Sequence, residues 1–172
     1  MCITRILFIL FAVCSFFICS GQNTDERKAL LFSRDSVKLF KELQTMAVTD
    51  QQYRKSTETF HKHISEVNGI DSINTTRMIE IINTYGFPSA HRFKTKGKEH
   101  FTPHIILVHA DQQFADTLWK LLLIEKEAGR ISPNEYAHID WHLKGRHGIP
   151  QFEGGKVKKR KNGSTRVKFT SF

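Results

Sequence analysis

The sequence predicts a mainly α-helical protein, a single-domain helical bundle with a short C-terminal β-hairpin. Three observations predict it. Apolar residues recur at three- and four-residue steps through most of the chain, the period that turns one face of a helix toward a core. Helix punctuation separates these stretches, with Gly86 before Pro88, Gly129 after Ala128, and Ser132-Pro133-Asn134-Glu135; glycine ends helices, and a hydroxyl with a glutamate three residues on begins them. Asn162-Gly163 between Val157 and Val167 is the dipeptide of a tight hairpin turn.

The elements follow in order. Residues 26 to 47 carry Leu30, Val37, Phe40, Leu43 and Met46 near helical spacing, with an end expected around Ala47. Thr49 can cap a second helix beginning at Asp50 and closed by Asn68-Gly69. A third is expected from about Ser72 to Tyr85, with Ile73, Met78, Ile81 and Ile82 inward and Gly86-Phe87-Pro88 as its stop. Ser89 to Lys98 is basic and polar and reads as a mobile loop. Thr102-Pro103 offers a cap and a first-turn proline for a short apolar helix, Ile105 to Val108. Asp111 can cap the helix Gln112 to Ala128, whose Phe114, Leu118, Leu121, Leu122 and Ile124 are expected in the core. The capping box at Ser132 starts the last helix, which should reach His147 and stop at Gly148.

The first 21 residues belong to a different category. Arg5, an apolar run from Ile6 to Ile18 and small residues before Gln22 resemble a secretory signal peptide. The run is shorter than the roughly 20 apolar residues of a membrane span, although an uncleaved anchor is the alternative. The expectation is export to the periplasm or beyond, with no membrane-spanning segment after cleavage. All three cysteines, Cys2, Cys14 and Cys19, lie in this segment, so residues 22 to 155 must hold together as one helical domain without disulfides.

Charge is uneven. Residues 156 to 172 hold seven Lys and Arg and no acid, whereas residues 22 to 155 carry 18 basic and 17 acidic residues. The basic tail or hairpin suggests an anionic envelope surface or an acidic glycan as partner, and export argues against nucleic acid.

Six short motifs occur in order: Asp50-Gln51-x-Tyr53-Arg54, Asn74-Thr75-x-Arg77, Gly86-Phe87-Pro88, His109-Ala110-Asp111, Tyr136-Ala137-x-x-Asp140 and Gly148-x-x-Gln151-x-x-Gly154. In this the chain resembles a bacterial domain-of-unknown-function family whose members share D-Q-x-x-R, N-T-x-R, G-W-P, H-A-D, D-R and G-x-x-Q-x-Y-G. The resemblance covers about residues 40 to 160. Departures are Phe87 for the tryptophan, Trp141 for the arginine beside Asp140, and Glu153 for the tyrosine before Gly154. The resemblance implies a small, often exported helical domain and brings no activity with it.

The matched residues are nonetheless the candidates for a site. Helical spacing would put Arg77 one turn from Ile73 and Ile81, on a buried face with Asn74, and would set Asp140 among Tyr136, Ile139 and Leu143. Asp50 and Arg54 can pair at i and i+4. A buried charge costs several kcal/mol unless paired, so these groups should meet. One reading is a satisfied polar network in which Asp111 caps a helix and Arg77 ties helices together. The other makes His109 a general acid or base tuned by Asp111 or Asp140, with Asp50, Arg54, Asn74, Arg77 and Gln151 binding a ligand.

No nucleophile motif, cofactor motif or H-E-x-x-H occurs, and no cofactor or metal is expected. His138 with His142, His61 with His63, and His100 with His104 have spacings that a metal could use, but amphipathic helices commonly expose such histidines. The sequence therefore points to an exported binding or envelope-associated domain with a buried polar cluster. The alternative is a small hydrolase-like enzyme using His109 with a carboxylate.

Overall fold

The computed structural model describes the backbone of residues 3–93, 102–148, 152, 155–159 and 165–169, and the side chains of residues 24–93, 102–148 and 152. The protein is mainly helical. The long helix α1 runs Ile3–Gln51, a short α2 covers Thr57–Lys62, and α3 spans Ile64–Tyr85. After 3-10 turns at Ala90–Arg92 and Pro103–His109 come α4, Ala115–Glu127, and α5, Pro133–Leu143. Helices α1 and α3 pack together, and the Pro103–His109 segment lies against α1, α3 and α5.

The boundaries differ from the expected ones in two places. Thr49 does not cap a new helix: its hydroxyl donates to the Thr45 carbonyl at 3.0 Å, the in-helix bond of a hydroxyl residue, and α1 continues to Gln51. Ser56 supplies the cap instead, accepting from the Thr59 amide at 3.1 Å. Asn68-Gly69 lies inside α3 rather than ending it. A mid-helix glycine costs about 1 kcal/mol, which buried Val67 and the rest of the inward face of α3 outweigh.

Other boundaries follow the sequence. Gly86 ends α3 with φ 74°, a conformation open to glycine at little cost. Asp111 accepts from the Gln113 amide and begins a 3-10 turn that leads into α4. Ser132 and Glu135 form the reciprocal capping box of α5, which ends at Leu143 rather than at His147. The short segment after Thr102 is helical, but of the 3-10 kind throughout.

The core joins Leu39, Leu43 and Met46 of α1 to Met78, Ile81 and Ile82 of α3, with Phe87, Ile106, Leu107, Leu118, Leu122, Ile139 and Leu143. Ile73 and Ile124, expected inside, are exposed, as are Leu30 and Val37 of the helical spacing in α1. The reason is phase. The buried face of α3 runs through Val67, Asp71, Asn74, Thr75 and Met78, so three polar residues occupy the inward stripe and Ile73 is rotated off it.

At the C-terminus, β1 (Gly155–Lys159) and β2 (Thr165–Phe169) run antiparallel, with Lys156 opposite Lys168 and Lys158 opposite Arg166. Two strands alone are marginal in water, so the fold class rests on the helices. The expected Asn162-Gly163 turn lies outside the described residues, as do the side chains of residues 1 to 23, residues 94 to 98 of the expected mobile loop, and Gln151.

Candidate functional site

Four charged or titratable groups converge where α1 ends. Asp50 is in the last turn of α1, Arg54 follows in the turn after it, Asp71 sits on the inward stripe of α3, and His109 closes the Pro103–His109 segment. The Asp50 side chain is fully buried. His109 Nδ1 lies 2.9 and 3.0 Å from its two oxygens. Gln51 Nε2 donates to Asp50 Oδ2 at 2.5 Å. The guanidinium of Arg54 is 3.7 Å from Asp50, donates to the Asp50 carbonyl at 2.5 Å, and binds both oxygens of Asp71 at 2.6 and 2.5 Å. Burial pushes the Asp71 carboxyl up from its ordinary value, against the pull of Arg54.

An ionised carboxylate only accepts, so it fixes the His109 proton on Nδ1. The lone pair of the neutral ring is then on Nε2, which has no hydrogen-bond partner among the described residues. His109 lines a pocket of about 490 Å³ together with Arg54, Phe60, Asp71, His142 and Arg146. The cluster therefore opens to solvent on one side. A histidine that is oriented by a buried acid and lines a pocket can take a proton from a bound molecule and return it.

The remaining candidates are elsewhere. Arg77 is not in the bundle centre; its side chain is 42% exposed and binds Glu42 at 2.6 Å and Glu80 at 2.7 Å on the surface. It follows Ile73, whose face was mis-phased. Asn74 is buried, but its amide donates to the Met46 carbonyl at 3.4 Å. Asp111 is an exposed cap, and Asp140 pairs with Lys144 at 2.7 Å. Neither tunes His109, whose partner is Asp50.

Sequence reasoning missed Asp71, His142 and Arg146 as members of this pocket. Asp71 had a signal: Val67, Asp71, Asn74 and Met78 keep a strict four-three-four spacing, which puts the acid on the core stripe. His142 was visible only as a metal candidate with His138. Its Nε2 donates to the Ala110 carbonyl at 2.8 Å and its Nδ1 accepts from Arg146 Nε at 2.9 Å, so both nitrogens are used. His138 instead meets His104 at 3.3 Å, and burial with nearby cations lowers its pKa to about 4.

Asp50, Asp71 and His109 are the set that could hold a metal ion among the described residues, with donor atoms within 4.8 Å of one another. Their donor types suit a divalent cation. However, Arg54 already bridges the carboxylates and supplies the positive charge there, so an ion would have to displace a charge-assisted fork. No helix among the described residues is long and apolar enough to cross a membrane. No family model, curated protein or solved structure matches the chain.

Proposed function

We propose that the chain is a small acid–base enzyme of hydrolase type, with His109 as the proton-transferring group and Asp50 as the residue that orients it. The observation that carries this reading is the His109 ring, held through Nδ1 by a buried carboxylate and lining the pocket. In the forward step Nε2 takes a proton from a water molecule, whose oxygen bonds to the electrophilic atom of the substrate. As the bond to the leaving group breaks, the imidazolium returns the proton to it. Asp50 stabilises the imidazolium between the two transfers. The binding-protein reading uses the same pocket without chemistry.

Turnover of a panel of chromogenic esters, amides and phosphomonoesters by wild type and His109→Gln separates them. A loss on the order of 10²–10⁴-fold in the variant, with an unchanged melting temperature, is expected for a general base. Equal turnover by both proteins, or nitrogen NMR placing the His109 proton on Nε2, overturns the reading.

A second reading concerns location, and it is carried by the C-terminal charge. We propose that the protein is exported by the leader, belongs with the helical domains whose six ordered motifs it resembles, and meets an anionic headgroup or acidic glycan through a C-terminal hairpin. What supports this is the sequence of residues 156 to 172, which holds seven Lys and Arg and no acid, a charge that an anionic surface would attract. Removing residues 156 to 172 should abolish retention on anionic vesicles or acidic-glycan resin at low salt. Equal retention of the shortened protein overturns it.

A further inference from the structure

We infer that the pocket selects its ligand through a carboxylate or phosphate group, and that Arg146 is the residue that binds it. The inference rests on the pocket reading above and adds the chemical class of the ligand. Of the fixed charges lining the pocket, Arg54 and Asp71 cancel by direct contact. Asp50 lies behind the wall, out of solvent, against His109 and Arg54. Arg146 is different, because no carboxylate among the described residues forms an ion pair with it.

The anchors of Arg146 are neutral. Its Nε donates to His142 Nδ1 at 2.9 Å and its Nη2 to the Val108 carbonyl at 3.0 Å. Both fix the guanidinium without spending its charge, and Nη1 has no partner among the described residues. Trp141 lies 5.9 Å from the guanidinium, at the outer limit of a useful cation–π contact. The backbone adds an independent sign. Arg146 has φ 60°, the one non-glycine residue with positive φ among the described residues. A residue with a Cβ rarely adopts that conformation, and where it persists it often marks a functional position. A cation that lines the pocket, held by neutral tethers on a left-handed backbone, is arranged to wait for an anion.

A guanidinium recognises carboxylate and phosphate through the same donors, so the test includes both. Amide NMR titrations of the full chain use sodium acetate, inorganic phosphate and, as a neutral analogue of acetate, acetamide. Acetate or phosphate is expected to shift the amides of residues 54 to 61, 109 and 142 to 146, and whichever binds more tightly names the group. Acetamide is expected to leave them unmoved.

Arg146→Gln should weaken anion binding about tenfold or more, the loss of one charge-assisted hydrogen bond. Arg146→Lys should keep most of it. His109→Gln should keep anion binding while losing turnover, so failure of the catalytic reading and failure of this one are read separately. Acetamide shifting the same amides as strongly as acetate overturns the inference in the wild-type protein, even if Arg146→Gln does not fold. Unchanged anion affinity in a folded Arg146→Gln overturns it as well.

Discussion

Two fully buried carboxylates, Asp50 and Glu125, are treated differently by their surroundings. Glu125 on α4 receives Arg130 Nε at 2.5 Å and Nη2 at 2.9 Å, Lys28 at 3.0 Å and the Phe87 amide at 2.7 Å. These donors come from α1, from the turn after α3 and from the residues following α4, and they hold its pKa below the ordinary value despite burial. Every lone pair is committed, and nothing is left to react. The Asp50 carboxylate accepts from Gln51 and from His109, and His109 lines a pocket. The contrast shows that burial and ion pairing alone do not distinguish scaffold from site. What distinguishes them is the partner: Glu125 is held by fixed cations and a backbone amide, whereas Asp50 holds an imidazole, a group that can carry a proton to and from a ligand.

Breaking the closed cluster should have the largest effect on stability. Glu125→Ala leaves Lys28 and the Phe87 amide without their acceptor and Arg130 with Asp25 alone, and should cost about 3–5 kcal/mol, as removal of one partner of a buried pair does. A melting temperature within a degree or two of wild type would show instead that water replaces the carboxylate. Gly86→Ala attacks the same cluster from the backbone. A methyl there would stand 2.5 Å from Arg130 Cδ, 2.7 Å from Arg130 Nε and 3.0 Å from Glu125 Oε2, at φ 74°. The expected loss is about 1–3 kcal/mol, and denaturant unfolding checks it.

The open cluster should give a smaller change in stability and a larger one in chemistry. His109→Gln removes one hydrogen bond from Asp50, which keeps Gln51 and Arg54, so the expected cost is about 1 kcal/mol. A loss above about 3 kcal/mol would place His109 with the scaffold.

Acid sharpens the comparison further. His138, His104 and His142 all have pKa values lowered chiefly by burial. For a histidine whose folded pKa lies below its unfolded value of about 6.5, the unfolded state binds the proton more readily. Stability is therefore full above that value and falls as the pH drops from 6.5 toward about 4, the value for His138. His138→Phe should flatten this slope in melts across that window, and an unchanged slope would shift the cause to the other two rings. The smallest effect belongs to Arg77→Ala. Its exposed ion pairs predict about 0–1 kcal/mol, and a cost above 2 kcal/mol in a chemical melt would contradict the surface placement.

Much of the scaffold was legible because its signals are local. The capping box at Ser132, the Asp111 cap and the stop at Gly86 each depend on a few adjacent residues. The inward phase of α3 was not local. Of the four apolar residues expected inward, Met78, Ile81 and Ile82 are buried and Ile73 is exposed, because the inward stripe also carries Asp71, Asn74 and Thr75, with Asn74 donating to the Met46 carbonyl and Asp71 held by Arg54. That phase moved Arg77 outward and brought Asp71 in. Within the site, Asp50 and Arg54 were readable as an i, i+4 pair and His109 as a polar residue after an apolar run. Their union was not readable, since Asp50 and His109 are 59 residues apart. Arg146 carried no signal in sequence, because a left-handed arginine looks like any other arginine in a basic stretch.

The Glu125 cluster also constrains the order in which the protein can assemble. Lys28 and Glu125 are 97 residues apart, and Asp25 and Arg130, joined at 2.7 Å, are 105 apart. A bundle of helices usually folds fast because its contacts are near neighbours in the chain, whereas distant closures slow the search. Here the outer half of α1 has no ionic partner for Asp25 or Lys28, among the described residues, until α4 and the turn after it exist. During synthesis the stretch of α1 around Asp25 and Lys28 must wait for residues near 130 before these contacts tie it, and a chain cut short before that point should leave that stretch more open to proteolysis than the part of α1 packed on α3.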